Sequence, residues 1–257
     1  MKDYQITAVV SVFIVFSMIA SLVSCSEKSR SAAPVSESQT NLLVFTKTEG
    51  YRHASIPDGV EALKAMANEN EWTIRHTEES NVFNPDSLDS YRAIIFLSTT
   101  GDILNETQQD AFKNYIQNGG GFVGIHAATD TEYEWPWYGD MVGAYFDSHP
   151  QIQQARLVVV NSNHPSTDFL PEEWMRTDEW YNFKDINTDI EILLKLDENS
   201  YEGGTNGENH PIAWYHEFEG GRIFYTGGGH TSESFSSELF LDHVKGGIDY
   251  VLQNTPE

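Results

Sequence analysis

"GGGFVGIHAATD", residues 119–130, is the stretch on which the fold turns. Three glycines close a helical segment, a short apolar run follows, and the run stops at His126 with Asp130 four positions later. An apolar run without alternation suits a strand buried on both faces, as strands in parallel sheets are. "YRAIIFLSTT" (91–100) upstream has the same character, and "NLLVFTKT" (41–48) begins the series. Between them, "GVEALKAMANEN" places Val60, Leu63 and Met66 at helical spacing. "EWTIRHTEE" alternates and reads as a second strand, and "LNETQQDAFKNYIQNGGG" opens on an Asn or Thr cap and stops at glycines.

The resulting order, β-α-β-(short α)-β-α-β, predicts an α/β domain with a mainly parallel sheet and helices on both faces. Right-handed crossovers place the ends of these strands along one edge. Downstream, "IQQARLVVVN" and "DIEILLKLD" read as strands, and "HPIAWYHEF" and "GRIFYTGGGH" as a hairpin around "EGG". "SSELFLDHVKGGIDYVLQN" closes the domain as an amphipathic helix.

Before this domain, residues 6–23 form an uncharged apolar block, and "LVSC" at 22–25 matches the lipobox of bacterial lipoproteins. We read residues 1–24 as a lipoprotein signal peptide and Cys25 as the lipidated residue. Residues 25–40, polar and Ser-rich, read as a flexible tether, and 41–257 as the folded domain. The expectation is a protein of the cell envelope, anchored to a bacterial membrane through the lipid on Cys25 and facing away from the cytoplasm. Cys25 is the single cysteine, so the domain has no disulfide, thiolate ligand or cysteine nucleophile. The formal charge of −24 opposes binding to nucleic acid and leaves cations or neutral ligands as partners.

In open α/β sheets, ligands bind beyond the carboxyl ends of the strands. Histidines recur at three such ends: His53 in "EGYRH", His126, and His230 in "TGGGH". Glu179 in "RTDEWYNF" is a fourth candidate and His149 in "DSHP" a fifth. Two or three His with one carboxylate can hold a divalent metal such as zinc, with a position left open. The same groups without metal can act as a general base with its orienting carboxylate. His126 is therefore read as base or ligand, Asp130 as its orienting carboxylate, and Glu179 as a ligand or second acid/base. His53 and His230 complete the cluster. Trp135, Trp137, Tyr138 and Trp180, with His149, are candidates for contacting a substrate. His210 and His216 are placed at the pocket rim, and His76, His164 and His243 are read as surface or packing residues. With neither GK[ST] nor a GxGxxG after the first strand, "TGGGH" is not read as a nucleotide loop.

Taken together, "TKTEGYRHASI", "GGGFVGIHAATDTEYEWPWYGDMVGAYFDSHP", "RTDEWYNF" and "HPIAWYHEFEGGRIFYTGGGH" resemble the ThuA-like (trehalose-utilisation) family, in order, over about residues 42–254. The resemblance implies a flavodoxin-like three-layer α/β/α sandwich of the class I glutamine amidotransferase-like type. In that superfamily the turn after the strand matching "GFVGI" carries a cysteine nucleophile, and here His126 stands in its place. Glutaminase chemistry by the thiol route is thereby excluded, and no G-x-S-x-G supports a serine route. The resemblance further implies carbohydrate catabolism, with a disaccharide or 3-keto-glycoside as small-molecule partner. Base-assisted isomerisation or elimination fits a keto-sugar. Ordinary hydrolysis would need two facing carboxylates, for which Asp130 and Glu179 are the candidates. A non-catalytic sugar-binding lipoprotein and a metal-dependent amidase or esterase are the alternatives.

Overall fold

Nine strands in the order β2-β1-β3-β4-β11-β10-β9-β6-β7 make the sheet that carries the candidate site. Apart from Met1, this computed structural model describes residues 40–253, so the signal peptide, Cys25 and nearly all of the tether expected from the sequence lie outside the described residues. The parallel half comprises β1 (Thr40–Phe45), β2 (Trp72–Thr77), β3 (Ala93–Leu97), β4 (Gly121–Ile125) and β11 (Gly221–Thr226). Their order, 2-1-3-4-11, is the doubly wound flavodoxin arrangement, with the β11 strand entering as the last member of a hairpin. β3 and β4 are buried at every residue, as their unbroken apolar runs required.

The antiparallel half consists of β10 (Pro211–Phe218), β9 (Glu191–Asp197), β6 (Gln153–Val159) and the edge strand β7 (Glu173–Asp178). A separate two-stranded sheet pairs β5 (Tyr145–Ser148) with β8 (Asn182–Lys184). Helices α1 (Ile56–Glu69) and α5 (Glu238–Leu252) cover one face of the parallel half. The short α2 (Pro85–Leu88), α3 (Glu106–Gln117) and α4 (Pro136–Val142) cover the other. The expected three layers are therefore present. α3 starts with a capping box, Asn105 accepting from the Gln108 amide while the Gln108 side chain returns the bond. Among the described residues no helix is long and apolar enough to cross a membrane.

β7 stands four places from β11 in the sheet, yet its side chains reach α5, which packs on β11. The Arg176 guanidinium lies 4.4 Å from the ring centroid of Phe240, and Trp174 meets His243 edge-on. The antiparallel half thus curls back across α5. Close packing of the following helix turn is what permits this: a Cβ on Gly246 would lie 2.2 Å from the Pro165 carbonyl oxygen, which belongs to backbone and cannot swing aside. Gly246→Ala is therefore expected to destabilise the domain by about 2–3 kcal/mol, the usual cost of overpacking, read as a lowered urea midpoint at unchanged m-value. A midpoint equal to wild type would show that the 161–170 loop yields freely.

Candidate functional site

Four strand ends converge. His53 follows β1, His126 follows β4, Glu179 follows β7 and His230 follows β11. One ligand atom from each of these residues can be chosen so that all four lie within 4.8 Å of one another. The three imidazole centroids are 4.7–5.1 Å apart. They lie at a cavity of about 460 Å³ whose wall includes Tyr51, His53, Asp130, Phe146, His149, Glu179, Tyr181 and His230. That volume is in the range of a small-molecule site.

His126 is fully buried and has φ +52°, a left-handed conformation that a non-glycine residue adopts at a cost of about 1 kcal/mol or more. The turn after β4 is thus a strained one, with histidine on it. Its Nδ1–H donates to the Gly227 carbonyl at 2.9 Å, which leaves Nε2 as the lone-pair nitrogen. Nε2 is 3.2 Å from His230 Nδ1 and 3.6 Å from Glu179 Oε2. His230 Nδ1 is 3.0 Å from the same Glu179 oxygen, and His149 Nδ1 is 3.0 Å from the other one. His53 Nδ1 is buried and has no hydrogen-bond partner among the described residues.

Burial, helped by the neighbouring His126 and His230, pushes His53 down to about 3, so its ring is neutral at physiological pH. Burial would raise Glu179, but the hydrogen bonds and charge that His126 and His230 supply when protonated reverse this and hold it well below the usual carboxylate range. Neutral imidazoles and an ionised carboxylate are the forms that bind a metal. A zinc-class ion with bonds of about 2.1 Å sets its ligand atoms roughly 3.4 Å apart. His126 Nε2, His230 Nδ1 and Glu179 Oε2 already stand 3.0–3.6 Å apart. The unpartnered His53 Nδ1 is a donor atom free to take a metal, and His126 has its second ring nitrogen tied to a carbonyl acceptor, as metal-bound histidines do.

Asp130 lines the cavity, but it does not orient His126. Its Oδ1 accepts a 2.6 Å bond from the Tyr133 hydroxyl, and the Gly227 carbonyl holds the imidazole instead. Burial raises the Asp130 pKa, against the Tyr133 hydrogen bond, which lowers it. His149 is at the cavity, as expected of a substrate contact. The four aromatic candidates are elsewhere. Trp180 is fully buried with Nε1 donating to the Gln153 carbonyl. Residues 179–181 alternate in direction, so Glu179 and Tyr181 face the cavity and Trp180 faces the core. Tyr138 is buried with its hydroxyl donating to Ala128, while Trp135 and Trp137 stack on each other beside Phe112 of α3.

His210 and His216 do not form the rim either. His216 donates from Nε2 to the Met141 carbonyl, and His210 bridges Glu198 and the Tyr181 carbonyl. His164 and His243 are packing residues, both bonded to Ser166. The aromatics that do line the cavity are Tyr51, Phe146 and Tyr181, with Phe146 and Tyr181 in contact at 4.3 Å. Each of Tyr51 and Tyr181 sits two residues from a cluster ligand, and that spacing is the signal by which the sequence could have nominated them.

The amides of "TGGGH" hold an internal anion. Gly229 N–H and His230 N–H donate to the two oxygens of Asp178.

A flavodoxin-type α/β domain with three histidines and one glutamate clustered at the carboxyl edge of its sheet is the class of protein these features define. The chain belongs to the ThuA family, described as trehalose utilisation, which matches residues 41–251. Among solved structures it is similar to a ThuA-like protein from Bacteroides uniformis ATCC 8492, at 25% identity and TM-score 0.71 over 82% of this chain and 91% of that one. A ThuA-like protein from Parabacteroides merdae ATCC 43184 shares the fold at 19% identity and TM-score 0.70, covering 85% and 92%. Part of a β-galactosidase from Bacillus circulans sp. alkalophilus shares it more distantly, at 11% identity and TM-score 0.54, over 84% of this chain and 30% of that one. No sequence among the curated proteins matches the chain.

Proposed function

We propose that this protein is an exported, lipid-anchored enzyme of carbohydrate catabolism that acts on a disaccharide or 3-keto-glycoside at the cavity above the four strand ends. The observation that carries the reading is the cluster itself: His53, His126, Glu179 and His230 present ligand atoms within 4.8 Å at the base of a small-molecule cavity. Sugar recognition alone does not require three imidazoles and a carboxylate in contact.

In this reading the four residues hold a divalent metal of the zinc class, which when bound would polarise a carbonyl or hydroxyl oxygen of the substrate. His126 and His53 act as ligands from the parallel strands, Glu179 through Oε2. His149, partly exposed and 3.0 Å from Glu179 Oε1, is the group positioned to carry a proton between substrate and solvent. On a 3-keto sugar that proton would come from the carbon beside the carbonyl, leading to isomerisation or loss of the glycosidic substituent. Asp130, at the cavity wall, is the carboxyl group placed to exchange a proton with the leaving oxygen. Tyr51, Phe146 and Tyr181 supply the apolar surfaces for a sugar ring. The apolar block and "LVSC" ending at Cys25 support export and anchoring.

The test is metal content by inductively coupled plasma mass spectrometry on residues 26–257 without a tag, for the wild type and for His126→Ala. We expect close to one metal per chain in the wild type and less than a tenth of that in the variant. A 3-keto-glycoside should be consumed by the wild type only. A folded, metal-free wild type that still consumes the sugar would replace the metal centre with His/Glu acid–base chemistry. Sugar binding without turnover would make the protein an accessory binder.

A further inference from the structure

We infer that Asp178 is the positioning residue that assembles the cluster from the two halves of the sheet, a role that rests on the metal-centre reading above. Glu179 and His230 come from strands four places apart, and pairing within the sheet cannot bring them together. Asp178 spans that gap. Its carboxylate is fully buried and accepts five hydrogen bonds. Oδ1 takes the amides of Glu179 (3.0 Å) and His230 (3.1 Å). Oδ2 takes the Gly229 amide (2.9 Å), the Ser234 hydroxyl (2.8 Å) and the Arg176 guanidinium (3.2 Å). One oxygen therefore holds the backbones of both metal-ligating residues. The other fastens the glycine turn, the 232–236 turn and Arg176 of β7 to the same point.

Gly229 has φ +113°, so the turn takes a shape open to glycine, and its two amides face the carboxylate as they would a bound anion. Arg176 supplies the neutralising charge, itself covered by Trp174 and Phe240. Asp178 touches neither the cavity nor the ligand atoms; it acts on the ligands through their backbones, and the sequence neighbours Asp178 and Glu179 divide assembly and ligation between them. An amide in its place cannot substitute. Whichever way Asn is turned, its NH₂ meets at least two of these donors, so either the Glu179–His230 pair or the Gly229–Ser234–Arg176 set loses its acceptor.

The experiment compares Asp178→Asn, Ser234→Ala and, as a control for lost stability away from the site, Tyr115→Phe, which removes the hydroxyl that donates to the Gly121 carbonyl at the amino end of β4. Zn²⁺ affinity is measured by competition with a chromogenic chelator, and amide exchange at Gly229 and His230 by mass spectrometry or NMR. We expect Asp178→Asn to bind Zn²⁺ about 10–100-fold more weakly, the usual loss for a second-layer partner. Exchange at residues 229 and 230 should accelerate at least tenfold. Ser234→Ala should move both readouts a few-fold in the same direction, and it decides the matter should Asp178→Asn not fold. Tyr115→Phe should move neither, whatever its melting temperature. Unchanged Zn²⁺ affinity in a folded Asp178→Asn, or unchanged exchange at 229 and 230, would overturn the assignment. A wild type that takes up no Zn²⁺ would sink the metal-centre reading alone, and the exchange measurement would then decide the role of Asp178.

Discussion

On the proposed metal-centre reading, stripping the metal is expected to lower the stability of the domain by about 4 kcal/mol when the free metal stood a thousandfold above its dissociation constant, because only the folded chain assembles the four ligands. The drop should appear as a fall in melting temperature on adding a chelator and reverse on adding Zn²⁺. Glu179→Ala is expected to remove the dependence altogether, its melting temperature being the same with and without chelator. Glu179→Gln separates charge from shape. The amide keeps the volume but offers one weak oxygen among three imidazoles, so its metal dependence should shrink to a small fraction of the wild-type effect. A wild type whose melting temperature ignores both chelator and Zn²⁺ would show that the cluster does not hold a metal.

Acid is expected to undo the fold through two histidines outside the site. Burial pushes His164 and His243 down to about 4 each, with the nearby Arg176 and His164 adding to the effect on His243. Both lie in a buried aromatic setting, between Tyr215 and Tyr250 for His164 and against Phe224 and Trp174 for His243. A folded-state pKa below the unfolded value of 6.5 means that the unfolded chain binds protons first. The stability these residues contribute is therefore intact above about pH 6.5 and drains away as the pH falls toward 4. At the low end of that window the loss is about 3 kcal/mol for the fully buried His243 and less for His164, which solvent screens in part. Asp130 and Glu132, whose burial raises them, work in the opposite direction and soften the fall. Urea midpoints at pH 7 and pH 4.5 measure the sum. His53, which burial also pushes down, adds to the difference, so His243→Gln, neutral at both pH values, should lose only a part of it, and an undiminished difference would acquit His243.

His126 marks how far the sequence reaches toward this site. An apolar run buried on both faces and ending in an ionisable residue can sit only at the edge of a covered parallel sheet, and that edge is where ligands bind. His53 and His230 are legible in the same way, because each follows a strand of the parallel half. Burial periodicity is local, so it is written in the chain. The direction of the aromatic side chains is not local, and there the expectation from sequence does not hold. "TEYEWPWYGD" and "EWYNF" announce aromatic rings without saying which way they point. Trp135, Trp137, Tyr138 and Trp180 turn toward the core, where their area is worth most, while Phe146 and Tyr181 take the cavity.

The sequence by itself determined the α/β order, the buried strands, the three histidines at strand ends and the absence of a cysteine nucleophile. Each of these follows from residue type and spacing within one element. Only the tertiary structure decided that Glu179 joins them, that Gly227 rather than Asp130 orients His126, and that Asp178 fills the glycine turn. Those contacts cross from β7 to β11, from 126 to 227 and from 178 to 230. The 126–227 contact follows from the pairing of β4 with β11, whereas the contacts from β7 depend on how far the antiparallel half curls over α5, a twist accumulated over the whole sheet that no single stretch of sequence encodes.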